Sequence, residues 1–429
     1  MQSDPASAEP ADDQQYLEAI TSCGEQRSLV VSQPIYSATG IKLLERGAKF
    51  DRRVLDRLFG HTLRDPIDRC VASDEAVRHS DLVARARELV AATPLLAHFQ
   101  TELAARSNRL WSALADCPLP PAVAMRLTVA RDSSVALYEH SLRAAFTALF
   151  IGVCAKYSER DLQMLATAAL LHDIGMLHVD PHLFDGARPL DAAGRRSLQA
   201  HPVTGELIAQ REPLLNRAIA AAIAQHHERL DGTGYPRGLA GEAIEKFARV
   251  LMLVEVVLAL AEHPADRPER QLSLVLRLNH RSFDGRLSDI VLAALPRLPP
   301  DESPAAASWS ECRRALELLD AWTRLCAANP PAADDPASAF IAARIGRLRR
   351  WLADAGVGDP DAAALAAEEV AVVSAEVAAL AHEAHWHARQ IALDALGQWP
   401  RLAPREGETV AGAAEQWICQ ALTAREATP

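Results

Sequence analysis

Leu170-Leu171-His172-Asp173-Ile174-Gly175 is the stretch on which the reading of this chain turns. Apolar residues at three- and four-residue spacing run into it, so a buried helix is expected over Glu159 to His172. That helix would end in an imidazole beside a carboxylate, with Gly175 as its C-cap. Two further segments belong with it. His201-Pro202-Val203-Thr204-Gly205 lies in a largely polar helix, and Gln225-His226-His227-Glu228 runs through Arg229-Leu230 into the loop Asp231-Gly232-Thr233-Gly234-Tyr235-Pro236. Seven of the 15 histidines fall between His140 and His227.

These residue types suit a reactive metal site. Such a site uses neutral imidazoles and carboxylates, keeps coordination positions open, and needs one carboxylate to bridge a metal pair. Adjacent His172 and Asp173 at a helix end can put one ligand on each side of such a pair. His226 and His227 project about 100° apart on a helix, so both reach one ion only if the helix end points at it. The glycines after them let backbone and the Tyr235 ring approach a ligand closely.

Working outward, the central region reads as amphipathic helices over Val123–Val129, Ser134–Lys156, Glu159–His172, Gly194–Gln210, Leu214–His227 and Ile244–Ala261, with another from about Leu272 to Leu295. Expected boundaries are a disordered tail over 1–25, a small α+β module over 26–73, and a helical linker over 74–127. A central helical domain over 128–298, which holds the three histidine segments, and a C-terminal helical region of unknown role over 299–429 complete the chain. In the α+β module, Gly40 marks a turn between short strands and Asp51 caps a helix ending at Leu58. The fold class is therefore mainly α: a helical bundle with a small N-terminal α+β module and additional C-terminal helices.

The 429 residues are 49% hydrophobic and 24% charged, with 5% aromatics and a formal charge of −11. That balance favours helices packed on helices and gives no basic footprint for a DNA or RNA duplex. The seven scattered cysteines include no CxxC pair and read as reduced thiols. No apolar run approaches the roughly 20 residues of a membrane span, and no signal peptide is evident, so a cytoplasmic location is expected. The histidines of His382-Glu383-Ala384-His385-Trp386-His387 are expected on a solvated helix face, and His178 and His182 on the surface.

The order His-Asp-Ile-Gly, His-Pro-Val-Thr-Gly, His-His-Glu with Asp-Gly-Thr-Gly-Tyr-Pro, then Phe247 to Leu260, resembles the HD-GYP branch of the HD phosphohydrolase superfamily. The resemblance implies an HD-type bundle and hydrolysis of cyclic-di-GMP by a water that two divalent ions activate, iron or manganese suiting nitrogen and oxygen ligands better than zinc. It implies His140, His172 and Asp173 at one metal, Asp173 bridging, and His201, His226 and His227 at the second. Glu255 stands where the family has a final aspartate ligand. His172 and Asp173 become the catalytic pair, and Asp231, Gly232, Gly234, Tyr235, Pro236 and Arg249 the substrate-binding set.

The chain also departs from that pattern. Met176 replaces a lysine near the substrate phosphate, and loss of one positioned cation commonly costs about 10²–10³ in rate. Gly186-Ala187-Arg188 replaces Lys-Pro-Gly, Leu258 a second aspartate, and Ala136 a carboxylate that serves a third metal. Three readings follow: an active cyclic-di-GMP phosphodiesterase, a degenerate member signalling through nucleotide or protein partners, and a phosphohydrolase for another nucleotide. The first is ahead. Signalling-protein partners and a homodimer through exposed helices stay open.

Overall fold

The computed structural model describes residues 14–58, 60–184, 192–262, 268–296, 305–332, 334–354, 373–403 and 412–423. Among them the fold is helical, with four strands of two or three residues. The chain divides into two compact units.

In the first unit, helix α1 (Gln14–Gln26) shortens the expected tail. The local composition is polar, but Tyr16, Ile20 and Cys23 recur at helical spacing and are buried. A polar segment with one apolar stripe folds when a partner covers the stripe. Strand β1 (Val30–Val31) pairs antiparallel with β4 (Val71–Ala72), and β2 (Ile35–Tyr36) with β3 (Lys42–Leu44). Gly40 makes the turn between β2 and β3 at φ +85°, where side chains with a Cβ are strained. Helix α2 (Arg52–Leu58) starts on Asp51, whose carboxylate accepts from the Arg53 and Val54 amides. The short α3 (Ile67–Cys70) follows.

Residues 74–127 are more than a linker. Helices α4 (His79–Ala92), α5 (Pro94–Leu103) and α6 (Ser107–Ala115) share the central core. Phe99 stacks on Phe150 with centroids 4.5 Å apart, and Trp111 tilts against Phe146 at 5.7 Å. Pro94 starts a new helix because its missing N–H costs nothing at that position. Next come α7 (Pro121–Ser133), α8 (Val135–Cys154) and α9 (Glu159–Leu171). Leu142, Phe146, Leu149 and Ile151 of α8 are fully enclosed. Each such side chain contributes roughly 1.5–3 kcal/mol, which makes α8 a rigid base for the residue it carries at position 140.

The helix expected over Gly194–Gln210 is two: α10 (Ala192–Gln199) and α11 (His201–Gln210). Pro202 cannot donate within a helix interior, so the helix restarts at His201. Helices α12 (Arg217–Gln225) and α13 (Lys246–Ala261) follow. The last expected helix is also two, α14 (Pro268–Leu278) and α15 (Gly285–Ala294). Asp284 caps the second through the Arg286 and Leu287 amides.

The second unit contains Ala305–Ala328, Pro336–Asp354, Val373–Gln398 and Ala413–Thr423 as helices, with Leu190–Arg196 and Arg270–Asn279. Trp322 and Trp417 meet edge to face in its core, and the Trp417 indole donates to the Leu318 carbonyl. No helix among the described residues is long and apolar enough to cross a membrane.

Candidate metal centre

Five helices deliver the seven expected ligands to one place. His140 sits in the second turn of α8. His172 closes α9, with Asp173 beside it at the start of a 3-10 turn, Ile174–His178. His201 opens α11, His226 and His227 follow the last residue of α12, and Glu255 lies within α13. Local sequence fixes the opposite ends of two of these helices. Ser158 caps α9 through the Asp161 amide, with Glu159 and Asp161 in its first turn, and Asn216 caps α12 through the Ala218 amide.

The donor atoms form two groups: His140, His172 and Glu255 in one, Asp173, His201, His226 and His227 in the other. Asp173 faces both. Its Oδ1 is 3.1 Å from His201 Nε2 and 3.4 Å from His226 Nε2, while its Oδ2 is 3.5 Å from His172 Nε2 and 3.8 Å from His140 Nε2. Glu255 Oε1 lies 3.1 Å from His172 Nε2 and 3.7 Å from His140 Nε2.

The donor chemistry fits cations. His172, His201 and His226 each donate Nδ1–H to a backbone carbonyl three residues back, at 2.8, 2.6 and 2.6 Å. This fixes the tautomer and leaves Nε2 as an acceptor. His201 Nε2 and His226 Nε2 then face each other at 3.2 Å, two lone pairs that need a positive centre between them. His172 Nε2, Asp173 Oδ1 and Glu255 Oε1 are buried without a hydrogen-bond partner. Such atoms are costly unless a cation takes their lone pairs.

The electrostatics agree. Burial raises the Asp173 carboxyl, but His172 and the surrounding imidazoles outweigh it and hold the group well below the usual range. Glu255 is likewise held low against burial, by His140 and His172. Burial, then the neighbouring His226, keeps His227 well below the usual imidazole range, and burial lowers His226. The carboxylates are thus ionised and His226 and His227 neutral, the states in which both ligate metal. His140 and His172 differ: burial lowers each, yet Glu255 and Glu262 raise His140 to about 11, and Asp173 and Glu255 raise His172.

Gly175 is not the expected C-cap, a place that His172 takes. A Cβ there would lie 2.2 Å from the His201 carbonyl oxygen, so glycine permits the turn after Asp173 to touch the start of α11. The same turn is held from the other side by a buried assembly. His178 stacks on Tyr16 at 5.0 Å and accepts from Arg126 Nη1 at 3.0 Å. Arg126 also pairs with Asp68 and lies over the Tyr16 ring, and the Tyr16 hydroxyl donates to Asp68. His178 is therefore a packed residue and not the surface one expected, whereas His182 is exposed. Met176 is half-buried in the turn.

Of the expected substrate set, Tyr235 reaches the centre: its ring lies on His227. Gly234 has no room for a side chain, since a Cβ would meet Glu228 Cα at 2.3 Å. Gly232 turns at φ +76°, and Pro236 is exposed. Asp231 is occupied locally, accepting from Thr233 and Ser282. Arg249 donates to the Ile244 and Gly241 carbonyls and lies 3.7 Å from Asp284, so it clasps the loop before α13 instead of presenting a free cation. Gly186-Ala187-Arg188 lies outside the described residues.

Two carboxylates escaped the sequence reading. Glu228 is fully buried and accepts from the Arg237 and Leu239 amides at 2.8 and 2.9 Å, tethering the glycine loop to the helix end that carries His226 and His227. Its place directly after His227 was the available signal. Glu262 approaches His140 Nδ1 at 3.2 Å, two turns beyond Glu255 on one face of α13. In the second unit, His385 donates to the Ala381 carbonyl and His387 meets Trp386 edge-on. The His382 side chain is outside the described set, and no metal-binding group among the described residues includes these histidines.

A helical bundle that brings a His-Asp pair and a His-His pair together is that of an HD domain, and residues 125–286 match the HD domain family. With the Gly234-Tyr235-Pro236 loop set on His227, the central segment of this chain is an HD domain of the HD-GYP type. It is 33% identical over 167 residues to the 3'3'-cGAMP-specific phosphodiesterase 3 of Vibrio cholerae, covering 38% of this chain and 36% of that protein. It is 30% identical over 149 residues to a cyclic di-GMP phosphodiesterase response regulator of Xanthomonas campestris, covering 33% and 39%. The chain thus spans little more than a third of these curated relatives. A solved HDGYP protein from Bdellovibrio bacteriovorus aligns over 62% of this chain and 94% of its own, at 15% identity and a TM-score of 0.33.

Proposed function

We propose that this chain is a two-metal phosphodiesterase acting on a cyclic dinucleotide, with cyclic-di-GMP as the leading substrate. The carrying observation is the bridging carboxylate: Asp173 turns one oxygen to each of two imidazole groups. The similarity to phosphodiesterases for cyclic di-GMP and 3'3'-cGAMP supports the substrate class.

His140, His172 and Glu255 would hold one divalent ion, His201, His226 and His227 the other, with Asp173 shared. Iron or manganese bound there supplies Lewis acidity at phosphorus and a water acidic enough to act as nucleophile at neutral pH. The chain's own part is to fix the Nε2 of His172, His201 and His226 by their Nδ1–H bonds and to present the Tyr235 ring at the rim, where it can stack on a base. Met176 offers no charge to a phosphate, so turnover is expected to be weaker than with a lysine there, by about 10²–10³.

The test is hydrolysis of cyclic-di-GMP and 3'3'-cGAMP by protein loaded anaerobically with Fe(II) or Mn(II), beside a His172→Ala, Asp173→Ala double variant. Turnover by the wild type alone supports the proposal. Two bound ions without turnover of either dinucleotide would favour the alternative of a nucleotide- or partner-binding scaffold, to which the uncharged Met176 already points.

A further inference from the structure

His140 differs from His172, His201 and His226 in one respect. His172, His201 and His226 lie at helix boundaries, and each gives its Nδ1 proton to a backbone carbonyl three residues back. His140 lies inside α8, which runs from Val135 to Cys154, so the carbonyls behind it are engaged by the helix's own amides. It must find a partner elsewhere. The structure supplies one from the C-cap of α13: both Glu262 oxygens approach His140 Nδ1, at 3.2 and 3.3 Å. The other ring nitrogen, Nε2, faces Glu255 and Asp173 at 3.7 and 3.8 Å.

Glu262 is placed for this by its helix. It follows Glu255 by two turns, so both carboxylates project from one face of α13 towards α8. Arg143, one turn beyond His140, reaches Glu262 at 3.5 Å and Glu139 at 3.4 Å, and Arg85 pairs with Glu139 in turn. The carboxylate is therefore held from two sides, by an imidazole and a guanidinium.

We infer that Glu262 is a positioning residue of the centre: it accepts the Nδ1 proton of His140 and so aims Nε2 at the ion shared with His172 and Glu255. This rests on the two-metal reading above. It goes beyond that reading by assigning an outer carboxylate to one of the two ions. Outer partners of ligating histidines commonly tune metal affinity by 10- to 100-fold.

The experiment is a Mn(II) titration of the full chain, with bound metal counted, on wild type, Glu262→Ala and Glu262→Gln. In the alanine variant one ion is expected to bind about 10- to 100-fold more weakly while the other is unchanged. The glutamine variant, whose amide oxygen can still accept from Nδ1, should stay close to wild type. Two ions bound by Glu262→Ala as tightly as by wild type would overturn the inference and leave the two-metal reading standing. Equal loss in both variants would also overturn it, because charge and not the acceptor would then be what matters. A wild type that binds no Mn(II) would sink both readings together.

Discussion

The Tyr235 ring lies nearly flat on the His227 imidazole, centroids 4.6 Å apart and planes 21° from parallel, and its amide donates to the His227 carbonyl at 3.1 Å. The glycine loop thus supports the imidazole proposed to hold the second ion. An aromatic contact of this kind contributes about 0.5–1.5 kcal/mol, so Tyr235→Ala should weaken the second ion by about 2- to 10-fold. Tyr235→Phe, which keeps the ring, should bind metal as wild type does. Loss in the phenylalanine variant would assign the effect to the hydroxyl.

Gly175→Ala tests the contact between the His-Asp turn and α11. The added Cβ would meet the His201 carbonyl oxygen at 2.2 Å and the Gly205 amide nitrogen at 3.0 Å, both backbone atoms. Overpacking of this type costs about 1–3 kcal/mol, which corresponds to a melting point lower by roughly 3–10 °C. Bound metal should fall as well, because His201 moves. An unchanged melting curve with full metal content would refute the close approach.

Glu228→Ala removes the acceptor for two loop amides from a fully buried position. Charge-assisted bonds of this kind contribute about 1.5–3 kcal/mol each, and stranded donors add to the cost. Urea unfolding should show a loss of about 2–4 kcal/mol, with Glu228→Gln, which keeps one acceptor, in between. A stability within about 0.5 kcal/mol of wild type would mean the loop holds itself.

Divalent metal should stabilise the fold through the same atoms. At a free concentration a hundred times the dissociation constant, one bound ion adds about 2.7 kcal/mol, or roughly 5–10 °C in melting temperature for a unit of this size. Chelation should reverse the shift. Asp173→Asn, which removes the charge presented to both groups, should show little of it; a full shift in that variant would mean metal binds elsewhere.

Much of the centre was legible in the sequence because metal ligation restricts residue type. Few side chains other than His, Asp and Glu serve, and here they recur at helix ends in a fixed order. What surrounds them was not legible. Arg249 reads as a substrate contact, yet the turn at Gly241 and Ile244 occupies it. Glu262 and His140 are 122 positions apart, and nothing local to either announces the other. Helix α1 was hidden by its polar composition, although Tyr16, Ile20 and Cys23 carried its period. The break before His201 could have been read from Pro202.

The Tyr16, Asp68, Arg126 and His178 assembly bears on where this protein can be cut. A fragment trimmed to residues 128–298 would leave His178 without its ring partner and its guanidinium donor. One begun at Val71 would strand Arg126, 4% exposed, without its counter-charge. Removing one member of a buried ion pair costs about 3–5 kcal/mol, comparable to the whole stability of many domains. A piece that keeps the packing around its His-Asp turn therefore starts ahead of Tyr16, and the N-terminal module is part of the foundation on which the candidate metal centre rests.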